Sequence, residues 1–110
     1  MPNEKIDPEI ARVHADFCGV LASATRIMIM WLLSDGEKTV GSLARALELS
    51  VANVSQHLRV MRDRGAVVAR KDGQKVYYHI ANPKFLKGYM QIRQGIIEQM
   101  EQGLRNVSGG

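Results

Sequence analysis

Only one of the 110 residues is a cysteine, Cys18, so a single chain cannot close a disulfide or gather several thiolates around one metal ion. A disulfide can form only between two copies. Long apolar runs are also missing. The longest, Ile27 to Leu33, falls far short of the ~20 residues that a membrane-spanning helix needs, and no membrane partner is expected. The opening residues MPNEKIDPEI contain neither an apolar stretch nor a small-residue cleavage site, so the expected setting is cytoplasmic. There is no internal repeat and no linker, and the length suits one modest core, so residues 1–110 read as a single domain. Catalytic chemistry is sparse as well. Cys18 and His14, the one thiol and histidine at pair spacing, have no evident third group and no glycine-rich loop. An enzyme is not expected, and no cofactor is called for.

What the chain does have is localised charge. Arg45, Arg59, Arg62, Arg64, Arg70, Lys71 and Lys75 face only Glu48, Asp63 and Asp72 within the same stretch, which therefore holds the entire net charge of +4. On charge alone this fits a solvated face as well as a polyanion partner. A polyanion is favoured only if the block coincides with an element that can enter a groove.

The apolar periodicity predicts five helices and a hairpin. Asp7 and Pro8 open a helix over about 8–22, with Ile10, Val13, Phe17, Val20 and Leu21 at helical spacing. Ser23 caps a second helix, apolar almost all round and expected to be the most buried element, which Asp35-Gly36 ends. Thr39 caps a third whose Val40, Leu43, Ala44 and Leu47 form one stripe. After a tight turn, Ser50 caps a fourth with Val51, Val54, Leu58 and Met61 facing inward and Gly65 past its end. A helix-turn-helix is thus expected over about 39–64. Asp72-Gly73 then joins two β-rich runs into a hairpin over about 66–81, with both turn residues expected at positive φ. Val76, Tyr78 and Ile80 are expected to face the core, opposite Lys75, Tyr77 and His79. Asn82-Pro83 opens a last helix to about residue 103, and Asn106 to Gly110 reads as a disordered polar tail.

This order, α-α-α-α-β-β-α, is that of a mainly α winged helix-turn-helix with a β-hairpin wing, and the basic block spans its helix-turn-helix and wing. At about 100° per residue, Ala52, Asn53, Gln56, Arg59 and Val60 point away from the core, flanked by Ser55, His57 and Arg62. These side chains suit base edges. Asn and Gln can pair bidentately with adenine and Arg with guanine, while Ala52 lets the helix approach closely. The hydroxyls of Thr39, Ser50 and Ser55 lie at or near helix starts, where free N–H groups favour phosphate. Arg70, Lys71 and Lys75 supply cations on the wing. Each residue alone fits an ordinary solvated helix; their joint arrangement points to double-stranded DNA. The open alternative is a winged-helix module that binds protein without specific DNA readout.

The stretch from about residue 17 to 85 resembles the ArsR/SmtB family of winged-helix repressors. The matching pieces are Leu21, Ala22, Thr25 and Arg26; Val40, Gly41, Leu43 and Ala44; the run from Leu49 to Leu58; and the wing from Lys71 to Tyr78, with Lys71 where the family has Arg. The resemblance implies a dimer built from the first and last helices that represses promoters and leaves DNA when an effector binds. The family's metal sites do not carry over. Gly41 to Leu47 contains no thiol, and between Lys84 and Arg105 there is no His and no Asp. His14 and Cys18, at i and i+4, read either as packing residues or as two ligands per chain. No metal site is assigned, and the effector is unknown.

Apolar surface on the last helix exceeds what docking needs. Phe85, Tyr89, Ile92 and Ile96 form one row, and Leu86, Met90, Ile97, Met100 and Leu104 another. With Val13, Phe17 and Leu21 of the first helix, a homodimer interface is expected to include Leu86, Tyr89, Met90, Ile96, Ile97 and Met100, and its two recognition helices to read an inverted-repeat operator.

Overall fold

A computed structural model describes residues 5–109, with side chains described through residue 104. The elements are α1 (Pro8–Val20), α2 (Ala24–Leu32), a 3₁₀ turn (Leu33–Asp35), β1 (Lys38–Thr39), α3 (Val40–Leu47), α4 (Val51–Asp63), β2 (Val67–Asp72), β3 (Lys75–Ile80) and α5 (Pro83–Gly109). All five helices start where a short polar side chain satisfies a free backbone N–H; at α5 it is Asn82, whose Oδ1 accepts from Lys84 at 2.9 Å. Asp7 Oδ1 accepts from Glu9 at 2.9 Å, Ser23 Oγ from Arg26 at 3.4 Å, Thr39 Oγ1 from Ser42 at 3.1 Å, and Ser50 Oγ from Asn53 at 3.0 Å.

Several boundaries differ from those the sequence predicts. Helix α1 stops at Val20, where the N–H groups of Leu21 and Ala22 return to the carbonyls of Cys18 (3.0 Å) and Gly19 (3.2 Å). Helix α5 passes the expected end near residue 103 and continues to Gly109, so the expected tail is helical over 106–109; Gly110 lies outside the described residues. The hairpin turn is one residue later than expected. Asp72 pairs with Lys75, and of the turn residues only Gly73 takes positive φ, at 63°. That is the two-residue loop with glycine first, which suits strand twist.

The sheet contains a strand that the sequence reading missed. β1 pairs antiparallel with β3, Lys38 opposite Tyr78 and Thr39 opposite Tyr77, giving the order β1-β3-β2. Two residues carry no visible period, which is why it escaped detection. Thr39 is at once the last residue of β1 and the cap of α3, so the wing and the helix-turn-helix share a fixed point.

Ile29, Met30, Leu43, Val54, Leu58, Met61 and Ala66 are fully buried, with Val20, Leu33, Ala44, Val67, Tyr78 and Tyr89 closing around them. Two inward assignments need correcting. Val51 is 54% exposed, because it opens α4 before the helix reaches the core, and α2 exposes Met28 and Trp31 at 46% each while burying Ile29 and Met30. Val60, expected to point outward, is half-buried and lines a cleft toward α1. Among the described residues no single helix is long and apolar enough to cross a membrane.

Leu58 sits at the centre of this packing and leaves a cavity if shortened. Leu58→Ala should cost about 2–5 kcal/mol, read as a lowered denaturation midpoint at unchanged m-value.

Candidate nucleic-acid interface

The turn between α3 and α4 is closed by local chemistry. Glu48 adopts a left-handed conformation (φ 56°), and the N–H groups of Glu48 and Leu49 return to the carbonyls of Arg45 (3.2 Å) and Ala44 (3.0 Å). Leu49 is half-buried against the core, completing the apolar contact usual in such a cap. Ser50 then starts α4 at once, so the two helices are held at a fixed angle by the shortest practical connection.

Helix α4 is divided lengthwise. Val54, Leu58 and Met61 are at 0% exposure, whereas Ala52, Asn53, Ser55, Gln56 and Arg59 are exposed. Among the described residues no side-chain hydrogen bond or ion pair occupies those outward polar groups. The outer face is therefore unspent donor and acceptor capacity on a rigid support. Thr39 and Ser50 lie differently: both hydroxyl oxygens already accept a backbone N–H, and their O–H groups remain free to donate.

His57 is tied inward. Arg26 Nε donates to His57 Nδ1 at 3.2 Å, and Arg26 Nη1 donates to the carbonyl of Val20 at 3.2 Å. One guanidinium thus links the end of α1, the start of α2 and the middle of α4. Nearby, Arg64 at the end of α4 reaches Asp16 of α1, with its Nη1 3.7 Å from Oδ1 and 3.4 Å from the backbone carbonyl. Residues 31 and 48 apart in the chain give no periodic signal, so these ties were not legible in the sequence.

The wing's cations are not equivalent. Arg70 makes a two-pronged pair with Glu37, Nε to Oε2 at 3.1 Å and Nη2 to Oε1 at 2.5 Å, while Nη1 lies 3.8 Å from Asp72 and the guanidinium sits 4.8 Å from the Tyr77 ring centre. Hydrogen bonds from Arg70 hold the Glu37 carboxyl below its usual range. Lys71 and Lys75 flank the turn, exposed and without ion partners among the described residues. With Arg62 4.0 Å from Asp63, the basic block resolves into paired Arg62, Arg64 and Arg70 and unpaired Arg45, Arg59, Lys71 and Lys75.

The expected interface residues on α1 and α5 also separate. Tyr89 is 6% exposed within its own chain and donates its hydroxyl to the Ile27 carbonyl at 3.3 Å; burial raises the pKa of that phenol. Phe17 packs against Phe85 with ring centres 4.3 Å apart and planes tilted by 39°, and Phe17, Leu21, Leu86 and Met90 pack on the core. Ile97 is half-buried, while Val13, Ile96 and Met100 are open, together with Ile10 of α1 and with Ile92 and Leu104 of the two apolar rows on α5. The first half of α5 docks on its own domain and the second half runs past it. His14 and Cys18 are both exposed on α1.

A helix-turn-helix followed by a β-hairpin, with an empty polar face on its second helix, defines a winged helix-turn-helix protein. Residues 23–67 match the family model described as bacterial regulatory protein, arsR family. Nodulation protein NolR of Rhizobium meliloti is 36% identical over 87 residues, covering 79% of this chain and 70% of that one. A transcriptional repressor SmtB homologue of Synechocystis is 30% identical over 99 residues, covering 86% and 75%. The solution structure of a homodimeric winged helix-turn-helix DNA-binding domain from Mycobacterium bovis superposes with a TM-score of 0.81 at 26% identity, covering 91% of this chain and 94% of that one. The chain belongs to the ArsR family. It is a DNA-binding transcriptional regulator, not an enzyme.

Because Nδ1 of His57 accepts from Arg26, the imidazole must carry its proton on Nε2 when neutral. Long-range ¹H–¹⁵N spectra near neutral pH should show the Nε2–H tautomer, and Arg26→Met should weaken that preference. A dominant Nδ1–H form in the wild-type protein would contradict the bond.

Proposed function

We propose that the protein acts in the cytoplasm as a homodimeric repressor that lays α4 of each subunit in the major groove of an inverted-repeat operator and releases it when an effector binds. The observation that carries this reading is the division of α4, three fully buried residues on one side and five exposed, unengaged ones on the other. Asn53, Gln56 and Arg59 read base edges, and Ala52 allows close approach. Thr39 and Ser50 donate to phosphate from helix starts, and Ser55 from one turn into α4. His57 orients the helix from its inner flank. Lys71 and Lys75 contact the backbone at the wing, and Arg70 contributes less because Glu37 and Asp72 compete for its guanidinium.

Gln56→Ala and Arg59→Ala should each cost about 1–3 kcal/mol of operator binding and little on unrelated duplexes, as titrations against both DNAs would show. Lys71→Ala and Lys75→Ala should instead weaken all duplexes alike and flatten the salt slope by about 1 each. Arg70→Ala should flatten it least. Equal operator affinity in both α4 variants would defeat the recognition-helix assignment.

The dimer is supported by open apolar side chains on two helices. Ile10 and Val13 of α1 and Ile92, Ile96, Met100 and Leu104 of α5 are all at least 55% exposed. Burying such side chains contributes about 1.5–3 kcal/mol each, enough for several to outweigh the cost of association. Leu21, Leu86, Met90 and Ile97 edge this surface, while Phe17 and Tyr89 support it from beneath. Ile96→Asp should yield monomer by light scattering and lose operator binding. Wild-type monomer at micromolar concentration, or a dimeric Asp variant that binds DNA normally, would refute this surface.

A further inference from the structure

Between the end of α1, the start of α2 and the middle of α5 lies a groove of about 430 Å³, within the range of small-molecule sites. Its walls are Leu21, Ile27, Tyr89, Ile92 and Ile97, with Cys18 at one side. Arg93 is its one charged lining residue. No carboxylate pairs with Arg93 among the described residues; its guanidinium rests 4.4 Å from the ring centre of Trp31. An apolar trough with one uncompensated cation at its rim is complementary to an apolar anion.

We propose that this groove is the effector site and that it takes a small organic carboxylate with a hydrocarbon body, the chain lying along Leu21, Ile27 and Ile92 and the carboxylate meeting Arg93. The assignment rests on the regulator reading above. A physical path leads from the groove to the DNA face. Tyr89 bonds the Ile27 carbonyl, and the next residue along the chain, Arg26, holds both the α1 terminus and His57 of α4. A ligand wedged against Ile27 and Tyr89 pushes on that junction. Ile92 and Ile96 continue from the groove onto the proposed dimer surface, so a bound chain is roofed by the second subunit and also biases the spacing of the two α4 helices.

The test uses the full-length protein and decanoate, with decanol and decyltrimethylammonium as controls, followed by calorimetry and by the rate of Cys18 alkylation. Decanoate should bind saturably and slow alkylation. Affinity should rise about four-fold per methylene from hexanoate to decanoate, and both controls should bind at least about ten-fold more weakly. Arg93→Gln should lose about ten-fold in decanoate affinity without changing decanol binding, and Arg93→Lys should recover part of the loss. Saturating decanoate should weaken operator binding at least about five-fold. Absence of saturable binding, or equal affinity in Arg93→Gln, overturns the site; if the same protein still binds operator, the regulator reading stands. Decanoate that binds only by converting dimer to monomer shows that a second copy fills the groove, which also overturns it. Unchanged operator affinity at saturation overturns the effector role.

Discussion

A helix that reads another molecule must be immobile on one side and unoccupied on the other, and the whole chain is organised around meeting that condition for α4. Val54, Leu58 and Met61 give it a buried edge without residual exposure, resting on Ile29, Met30 and Leu43 of the preceding helices. Native-like packing density makes such a contact stiff, since shifting a close-packed side chain opens a void or creates overlap. The caps matter for the same reason. Ser50 begins α4 immediately after the left-handed Glu48, so no slack remains in the connection. The polar residues on the outer face cost nothing to leave unpaired in solvent, yet remain available to a partner.

Charge shows a parallel division between residues that hold the domain together and residues left free. Arg64 with Asp16 and Arg70 with Glu37 join elements distant in sequence, while Arg59, Lys71 and Lys75 form no ion pair among the described residues. Exposed pairs of this kind contribute little to stability. Their effect on the surface field is larger, because a paired arginine adds almost nothing to the attraction of a polyanion. The basic stretch that gives the sequence its net charge is therefore a weaker electrostatic footprint than its composition suggests, concentrated at the outer face of α4 and the tip of the wing.

How much of this was readable in advance follows from the range of each interaction. Helices α1 to α4 and the wing announced themselves through caps, apolar periods and the Asp72-Gly73 turn, all local signals. The inward placing of Val76, Tyr78 and Ile80 followed from strand alternation, and these three belong to or pack against the core, although Tyr77 and His79 on the other face are half-buried as well. Errors arose where the decisive partner was far away. Strand β1 exists only because Tyr77 and Tyr78 offer it an edge, and Arg70 was read as a free cation because Glu37 lies 33 residues earlier. On α5, periodicity found both apolar rows but could not say where the domain beneath them ends. Tyr89 therefore proved to belong to its own core, and the open surface starts at Ile92.

The Arg26 junction supplies something that apolar packing cannot. Hydrophobic burial is non-directional, so Val54, Leu58 and Met61 hold α4 by shape alone, and a directional tie adds a constraint of a different kind. A few degrees of rotation would move Gln56 and Arg59 away from the base edges they would address. The hydrogen bond from Arg26 to His57 has a preferred line, and its donor is itself held by the Val20 carbonyl. Lysine could not replace it, because a single ammonium lacks donors fixed in two directions on one rigid plane. The azimuth of α4 is thus set from the end of α1 and the start of α2, next to the residues that form the apolar groove and its tyrosine tie. That adjacency places one side chain between the proposed dimer surface and the proposed DNA face, the link on which the effector proposal depends.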